Sequence, residues 1–379
     1  MTIAGLVYIV AGESSGDLLG ANLIRALKKQ GNLSFAGIGG PDMAAEGCQS
    51  LFPMSDLSLM GIVEIIPHIP KIFKRLAQTE QDIVRKQPDI VVTIDSPGFC
   101  FRLAKRLRGH GIPLVHYTAP TVWAWRPKRA QKIAQLYDHL LTLFPFEPPY
   151  FLKEGLNTTF VGHPLVEMDI TPERGLGFRQ KHHLDEASLL ICLLPGSRRS
   201  EVDRLLPTFM DVIRQLKVFY SNFQLVMPVV PHLKEHLSQF LAPHDLPILM
   251  VTDTQEKIAA MAASNVALAA SGTVALELAL AETPTVIAYK ANPLTIFIVR
   301  RLILTPYVCL TNILLGRRVV PELLQENCTP PKILEALLYE IKGQQKKELK
   351  KVRKLITPNG GNPSDIAARK IIELMEKIS

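Results

Sequence analysis

Residues 3–17 read IAGLVYIVAGESSGD, an aliphatic strand that runs directly into a turn rich in glycine and serine. After the turn, apolar residues recur three and four positions apart, at Leu18, Leu19, Leu23, Ile24 and Leu27. This spacing predicts an amphipathic helix. A buried strand, a turn and a helix in this order form the repeating unit of a parallel α/β sheet.

The same unit recurs along most of the chain. Further strands are predicted at 90–94, 114–117, 139–143, 159–161, 189–194, 223–228, 248–251, 266–269 and 285–288. The pattern lapses between His163 and Gly177, where prolines and glycines favour a domain boundary. We therefore predict an α/β fold of two Rossmann-like domains facing across a cleft. Their limits are 1–165 and 176–340, with C-terminal helices at 341–379.

Composition excludes several classes of protein. The 379 residues are 47% hydrophobic and 21% charged, as in a globular protein rather than a disordered one. Five scattered cysteines without a C-x-x-C pair argue against a disulfide framework or zinc ribbon. We expect no metal and no cofactor. The apolar start lacks the basic residues of a signal peptide, and no membrane span is predicted.

The net charge of +8 suits an anionic partner. Anionic lipid and phosphorylated substrates fit this charge better than nucleic acid. Basic and aromatic residues do not interleave in a recognisable nucleic-acid-binding motif, so no nucleic-acid partner is expected.

The first turn, from Gly12 to Gly16, has several interpretations. It matches the G-x-S-x-G nucleophile elbow, but that elbow follows earlier strands which supply part of an oxyanion hole. It lacks the glycines of a dinucleotide fingerprint. Alternatively, Gly12 admits a ligand close to the backbone while Ser14 or Ser15 caps the helix. A tight turn with no binding role is equally compatible with the pattern.

Two turns in the second half suggest a nucleotide site. Gly196, Ser197 and Arg198 follow the strand 189–194, where open parallel sheets bind ligands. An arginine there suits a diphosphate, although an ion pair with Glu201 would also explain it. Ser271, Gly272 and Thr273 form a similar turn after the strand 266–269. Glu277 follows one helical turn later and could accept the hydroxyls of a ribose.

In the first half, Asp95 follows the strand 90–94. A carboxylate at that edge is a candidate general base, or simply a cap for the next helix. The loop after the next strand, from His116 to Arg126, contains both tryptophans of the chain, Trp123 and Trp125. They could form the core or an apolar wall for a substrate.

These stretches resemble the lipid-A-disaccharide synthases, a glycosyltransferase family of the GT-B fold. The matching segments are 11–17, 116–126, 160–164, 193–198, 270–277 and 312–316. The resemblance implies transfer of a sugar from UDP-2,3-diacylglucosamine to 2,3-diacylglucosamine 1-phosphate by a single inverting displacement. A hydrolase using Ser14 and a non-catalytic nucleotide-binding protein remain the rival interpretations.

The resemblance also implies roles for individual residues. Asp95 would be the general base, with Glu13 as its nearest competitor. UDP would be bound by Gly196, Ser197, Arg198, Ser271, Gly272, Thr273 and Glu277. The acceptor and the cleft would involve Gly12, Ser14, Ser15, His116, Trp123 and Asn312. A homodimer with exchanged C-terminal segments is implied as well.

Lipid substrates imply a cytoplasmic protein that is peripherally associated with the inner membrane. Apolar residues at helical spacing lie beside Lys71, Lys74 and Arg75: they are Ile62, Ile65, Ile66, Ile69, Ile72, Phe73 and Leu76. A second apolar and basic stretch covers 296–303. Both could lie in a membrane interface, and a helix facing the core is the competing interpretation.

Overall fold

The computed structural model describes residues 3–57, 69–244, 246–291 and 302–377. The chain forms two compact units. Unit 1 comprises Met1–Glu167 and Ile356–Ser379, and unit 2 comprises Met168–Leu355. The C-terminal helices, which the sequence groups into one segment, are therefore divided between the two units.

Unit 1 is built on a six-stranded parallel sheet in the order β2-β1-β3-β4-β5-β6. Its strands are β1 (Ile3–Ala11), β2 (Gly31–Ile38), β3 (Ile90–Ile94), β4 (Leu114–Tyr117), β5 (His139–Thr142) and β6 (Asn157–Phe160). Its first six helices are α1 (Ser14–Lys28), α2 (Pro41–Ala45), α3 (Ile69–Lys86), α4 (Pro97–Leu107), α5 (Arg129–Ala134) and α6 (Pro148–Leu152). The strand order changes direction at β1 and β3, which places the ligand-binding crevice of such a sheet after these two strands.

Both faces of this sheet are covered. Val7 and Ile9 belong to one core cluster and Tyr8 and Val10 to another, and all four are fully buried. Successive side chains of a strand point to opposite faces, so β1 is buried on both sides. This burial explains why its sequence is almost continuously apolar.

Unit 2 contains a second six-stranded parallel sheet, in the order β12-β11-β10-β7-β8-β9. Its strands are β7 (Leu189–Leu194), β8 (Phe223–Pro228), β9 (Ile248–Val251), β10 (Val266–Ala269), β11 (Thr285–Tyr289) and β12 (Glu322–Leu324). Its helices are α7 (Pro172–Lys181), α8 (Arg199–Leu216), α9 (Lys234–Leu241), α10 (Thr254–Ala263), α11 (Val274–Leu280), α12 (Leu310–Leu315), α13 (Pro330–Glu340) and α14 (Lys346–Ile356). This is the strand order of a Rossmann fold, with its switch point between β7 and β10.

Short 3₁₀ helices complete the described elements, at Met54–Asp56, Pro164–Glu167, Pro231–Leu233, Ala242–His244 and Gln325–Asn327. The predicted class, two Rossmann-like α/β domains, is confirmed. Two strands were not predicted. β2 lies at the edge of its sheet, and its first five residues are only partly buried or exposed. β12 has only three residues.

The last helix, α15 (Pro363–Glu376), packs against α1 in unit 1. Glu167 holds its first turn by accepting hydrogen bonds from the backbone N–H and the hydroxyl of Ser364, at 2.8 and 2.9 Å. Just before it, the backbone N–H of His163 donates to the carbonyl oxygen of Ile356 at 3.0 Å. Gly162 has φ +90°, and a Cβ there would overlap the ring of Pro358. The 160–164 segment therefore packs against residues 356–358, where the chain re-enters unit 1.

Within the ranges that the structure describes, none of the helices combines the length and apolar character needed to cross a lipid bilayer.

Candidate functional site

Unit 2 has a cavity of about 520 Å³ at the carboxyl ends of β7, β8, β9 and β10. Four loops and the first turns of the helices that follow them line the cavity. They include every residue that the sequence predicts for UDP: Gly196, Ser197, Arg198, Ser271, Gly272, Thr273 and Glu277. The cavity lies at the switch point of the sheet, where Rossmann-type sheets bind nucleotides. A more open groove of about 820 Å³ lies between the end of α8 and α13 and contains none of these residues.

The turn after β7 is organised around Glu201. Its carboxylate accepts hydrogen bonds from the backbone N–H groups of Ser197 and Arg198, at 3.3 and 3.4 Å. Gly196 has φ +128°, and a Cβ there would lie 2.8 Å from Cβ of Glu201. The guanidinium of Arg198 lies 3.3 Å from the same carboxylate, yet its side chain is 66% exposed. The ion pair with Glu201 thus exists, and the arginine still lines the cavity.

The turn after β10 places Glu277 against Lys257, a cation that the sequence did not predict as part of the site. The ammonium of Lys257 lies 2.6 Å from the Glu277 carboxylate, and both side chains line the cavity. Lys257 belongs to α10, whose first turn is capped by Asp253 through the N–H groups of Gln255 and Glu256. The only signal for Lys257 in the sequence is its position before the uncharged run 258–276.

The cavity therefore offers cations and a carboxylate in one place. Arg198 and Lys257 suit the oxygens of a diphosphate, since a guanidinium donates paired hydrogen bonds and an ammonium adds a compact charge. Gly272 has φ +155° with open space at the position of a Cβ, so its backbone is accessible to a ligand. The described residues contain no group of three or more His, Cys, Asp or Glu side chains that could hold a metal ion.

In unit 1, Asp95 lies in an unusual backbone conformation at the end of β3. Asp95 and Ser96 have φ values of +50° and +44°, which cost non-glycine residues roughly 1–3 kcal/mol each. Such strain is concentrated at functional sites. Burial raises the pKa of Asp95, opposed by the backbone N–H of Ser96. Ser96 and not Asp95 is the N-cap residue of α4, so the capping interpretation of Asp95 is wrong.

The turn after β1 lies directly against Asp95's neighbour. A Cβ on Gly12 would overlap the hydroxyl of Ser96, so only glycine lets the two turns approach this closely. Glu13 is the N-cap residue of α1. Ser14 and Ser15 follow it as exposed residues of the first helical turn, so the expectation that one of them caps α1 is wrong.

Asp17, the last residue of the same motif, has a structural role. It is buried and accepts hydrogen bonds from the backbone N–H groups of Gly40, Asp42 and Met43 at 2.7, 2.9 and 3.0 Å. Its carboxylate therefore holds the connection between β2 and α2.

The structure places the side chain of His116, the last but one residue of β4, in the core of unit 1. Its Nδ1 lies 2.8 Å from the hydroxyl of Thr93, and its ring packs edge-on against Phe101. Burial lowers the pKa of His116 to about 3, so the ring is neutral at physiological pH. Almost none of the His116 side chain is exposed, so the structure leaves it no surface for the expected contact with the acceptor.

Trp123 anchors the loop after β4. Its ring packs edge-on against Phe146, and its Nε1–H donates to the carboxylate of Glu147 at 3.3 Å. Glu147 also accepts from the backbone N–H groups of Leu143 and Phe144. Burial raises the pKa of Glu147 to about 7. Trp123 is 9% exposed, so it is mainly a core residue. Glu147, which holds its ring nitrogen, was not predicted from the sequence.

Asn312 is fully buried and lies outside the cavity. Its amide donates to the carbonyl of Val320 and the carboxylate of Glu322, and accepts from the N–H groups of Val319 and Val320, each at 2.8 Å. All its hydrogen-bonding groups are therefore used within unit 2. The preceding Thr311 donates to the carbonyl of Ala275 in α11. The Asn312 segment supports the helix that carries Glu277.

Comparison with known proteins identifies a family. The family described as Lipid-A-disaccharide synthetase matches residues 7–374. The chain is similar to the lipid-A-disaccharide synthase of Rhodospirillum centenum, with 46% identity over 98% of this chain and 95% of that protein. It is 43% identical to that of Gluconobacter oxydans, over 98% of this chain and 91% of the relative. With that of Rickettsia prowazekii it shares 38% identity over 96% and 97%.

Solved structures support the fold. A UDP co-structure of MnaA from S. aureus has a TM-score of 0.66 at 14% identity, covering 98% of this chain and 95% of that one. MurG of Acinetobacter baumannii has a TM-score of 0.58 at 15% identity, covering 98% and 99%.

Proposed function

Because the chain belongs to the lipid-A-disaccharide synthetase family, we propose that it joins two acylated glucosamine units. The donor is UDP-2,3-diacylglucosamine and the acceptor is 2,3-diacylglucosamine 1-phosphate. The products are the β-1,6-linked lipid A disaccharide 1-phosphate and UDP. The observation that carries the proposal is the cavity of unit 2, which Arg198, Lys257 and Glu277 line together.

The cavity accounts for the UDP part of the donor. The diphosphate lies against Arg198 and Lys257, and the ribose hydroxyls donate to Glu277, whose carboxylate is oriented by its ion pair with Lys257. Departure of UDP places negative charge on the leaving oxygen. Fixed cations and the backbone N–H groups of the 271–273 turn stabilise that charge as it develops.

Asp95 supplies the base. An α-linked donor and a β-linked product require one inverting displacement by the 6-hydroxyl of the acceptor. That hydroxyl must lose a proton, and a carboxylate whose pKa is raised by burial is a better acceptor of it than an ordinary aspartate. Glu13, at the N-cap of α1 in the same unit, is the second candidate.

No covalent intermediate is needed, so Ser14 has no role as a nucleophile. In the part of the chain that the structure describes, Ser14 has no hydrogen bond to a histidine, as an activated serine requires. This favours the transferase over the hydrolase. A non-catalytic nucleotide-binding protein would need no partly buried carboxylate in a strained backbone conformation such as Asp95.

UDP release from the donor, measured with and without the acceptor, tests the function. A glycosyltransferase releases UDP only when the acceptor is present, and an acceptor that lacks the 6-hydroxyl fails to support release. Release without acceptor that is lost in Ser14→Ala would instead identify a hydrolase. Tight binding of UDP without any release would identify a non-catalytic binding protein.

The proposal extends to the membrane and to assembly. The protein acts as a cytoplasmic, peripheral enzyme of the inner membrane, and as a homodimer.

Residues 62–68 and 296–301 of the two predicted interfacial stretches lie outside the described residues. Beside them, Phe73 is 50% and Leu304 61% exposed, whereas Leu76 is buried in the core. Lys71 and Arg75 form ion pairs with Asp56, whereas the exposed Lys74 has no ion pair with any of the residues that the structure describes.

A paired substitution tests the membrane contact. Phe73→Ser with Leu304→Ser should reduce sedimentation with anionic vesicles and leave the melting temperature unchanged, because both side chains are exposed. Leu76→Ser is the control for burial and should lower the melting temperature. Unchanged sedimentation of the double variant would contradict the membrane proposal. For the homodimer, a monomeric mass of the wild-type protein at all concentrations would contradict the proposal.

A further inference from the structure

The segment between Asp95 and Asp138 has a one-sided charge. Residues 96–137 contain no Asp or Glu, but they contain eight basic residues: Arg102, Lys105, Arg106, Arg108, Arg126, Lys128, Arg129 and Lys132. Arg106 pairs with Glu80 and Arg108 with Asp138, each at 2.7 Å. The other six have no carboxylate within ion-pair distance among the residues that the structure describes. An excess of unpaired cations in one segment creates a local attraction for anions.

Part of this segment is a loop held in a defined conformation. Val122 and Trp123 are buried beneath it, and Trp123 is fixed by Glu147. Arg126 has φ +56°, and its guanidinium lies 4.3 Å from the ring centre of Trp125. Arg126 and Lys128 are exposed. A stacked arginine in a strained backbone conformation is presented to solvent in one orientation, as suits a binding group.

The loop begins beside the proposed base. The backbone N–H of Asp95 donates to the carbonyl oxygen of Tyr117 at 3.1 Å, and Thr118 continues the chain from there. Strands β3 and β4 are parallel neighbours, so Asp95 and the loop leave the sheet at the same edge. The unpaired cations of the loop and the carboxylate therefore belong to one edge of unit 1.

The two substrates make separate demands for cations. The donor's diphosphate has Arg198 and Lys257 in unit 2. The acceptor carries a phosphate monoester, with a charge of about −1.5 to −2 at pH 7. In its sugar ring, C1 carries the phosphate and C5 carries the 6-hydroxyl through C6, and both carbons are bonded to the ring oxygen, so the two groups project from the same side of the ring skeleton. A cation near the edge that carries Asp95 can hold the phosphate while the hydroxyl reaches the carboxylate.

We infer that Arg126 and Lys128 bind the 1-phosphate of the acceptor and thereby orient its 6-hydroxyl toward Asp95. The inference rests on the proposed function and assigns the ligand of a surface for which the reaction otherwise has no use. Arg126 forms the paired hydrogen bonds and Lys128 supplies additional charge.

Kinetics with two acceptors test the inference. The double variant Arg126→Gln, Lys128→Gln is assayed in non-ionic detergent micelles with 2,3-diacylglucosamine 1-phosphate and with the same lipid lacking the phosphate. For the phosphorylated acceptor we expect KM to rise roughly ten- to hundredfold. The KM for the donor, the affinity for UDP and the reaction with the unphosphorylated acceptor should not change.

A matched control removes the same charge elsewhere. Lys105→Gln with Lys132→Gln replaces two exposed cations of the same acid-free segment, on α4 and α5. This variant should behave as the wild type with both acceptors. If it loses as much as the loop variant, general electrostatic attraction explains the effect and the specific site is wrong.

Three further outcomes overturn the inference. The first is an unchanged KM for the phosphorylated acceptor, and the second is an equal loss with both acceptors. The third is a loss confined to substrate in anionic vesicles together with weaker vesicle sedimentation, which would make the loop a membrane contact. If the wild type transfers to neither acceptor, the proposed function fails. Equilibrium binding of the phosphorylated lipid to wild type and variant then decides the site independently.

Discussion

Asp95 combines a strained backbone with a pKa raised by burial. Asp95→Asn keeps the size of the side chain but cannot accept a proton from the acceptor hydroxyl. We expect turnover to fall by about 10²–10⁴, the usual cost of losing a general base. UDP affinity, measured by calorimetry, should stay near that of the wild type, because the residues proposed to bind UDP lie in unit 2.

Glu13 is the alternative candidate for the general base. If Asp95→Asn retains wild-type turnover with chemistry rate-limiting while Glu13→Gln loses it, the base is Glu13. The thermal stability of both variants should be measured alongside, because the left-handed conformation at position 95 tolerates Asn at least as well as Asp.

Arg198 and Lys257 are the cations that line the proposed nucleotide cavity. Replacing either by Gln removes a charged hydrogen bond worth about 1.5–3 kcal/mol, so UDP should bind roughly ten- to hundredfold more weakly. Glu277→Ala should have a similar effect through the ribose. Calorimetric titration with UDP measures all three losses.

Lys350→Gln is the control for the loss of one positive charge in unit 2. Its side chain is 63% exposed and lies 3.6 Å from Glu282, outside the cavity. UDP affinity should be unchanged in this variant. Unchanged affinity in the Arg198, Lys257 and Glu277 variants as well would show that the nucleotide binds elsewhere.

At the scale of elements, the return of the chain to unit 1 depends on Gly162. Gly162→Ala meets two penalties, a positive φ of +90° and an overlap with Pro358. Gly155→Ala meets only the first, since φ is +82° and nothing lies within 4 Å of the added Cβ. Gly155→Ala should therefore cost about 1 kcal/mol or less in the free energy of unfolding, and Gly162→Ala several kcal/mol.

Urea denaturation compares the two alanine variants. In Gly162→Ala, the displaced Pro358 should also loosen α15, seen as faster hydrogen exchange in 363–376. Equal stability of the two variants would mean that the 160–164 segment does not position the C-terminal helix.

At the scale of the whole molecule, three buried histidines make stability depend on pH. Burial lowers the pKa of His116 to about 3, and that of His139 and His163 to about 4. The unfolded chain binds these protons near pH 6.5. Stability is therefore complete above pH 6.5 and is lost as the pH falls, by up to about 1.4 kcal/mol per pH unit for each histidine.

Glu147 acts in the opposite direction over part of this range. Burial raises the pKa of Glu147 to about 7. The stability that this group contributes is therefore fully present below its pKa in the unfolded chain and is lost as the pH rises through 7. Three histidines outweigh one glutamate, and the melting temperature should fall between pH 6.5 and 4.5. Glu147→Gln should steepen that fall. A melting temperature that is flat over this range would contradict the burial of these side chains.

The sequence alone determined the class of fold and most of the residues of the proposed nucleotide site. Strands buried on both faces must be nearly continuous in aliphatic residues, so β1, β3 and β7 are visible as local patterns. Turns that follow such strands in a parallel sheet share one edge, which brings the residues around Arg198 and Thr273 to one cavity. Each of these inferences needs only the order of residues along the chain.

Only the tertiary structure decided which of the predicted side chains reach a site and which support it. His116 and Asn312 belong to sequence motifs, yet both side chains are buried. The hydrogen-bond partner of His116 is Thr93, which is distant in sequence. The partner of Asn312 is Glu322, which follows a loop. The sequence does not reveal the partners of Lys257 and Glu147, because each pairs with a residue on a different strand connection. The direction of a side chain and its neighbours across the sheet are set by packing, which no local spacing encodes.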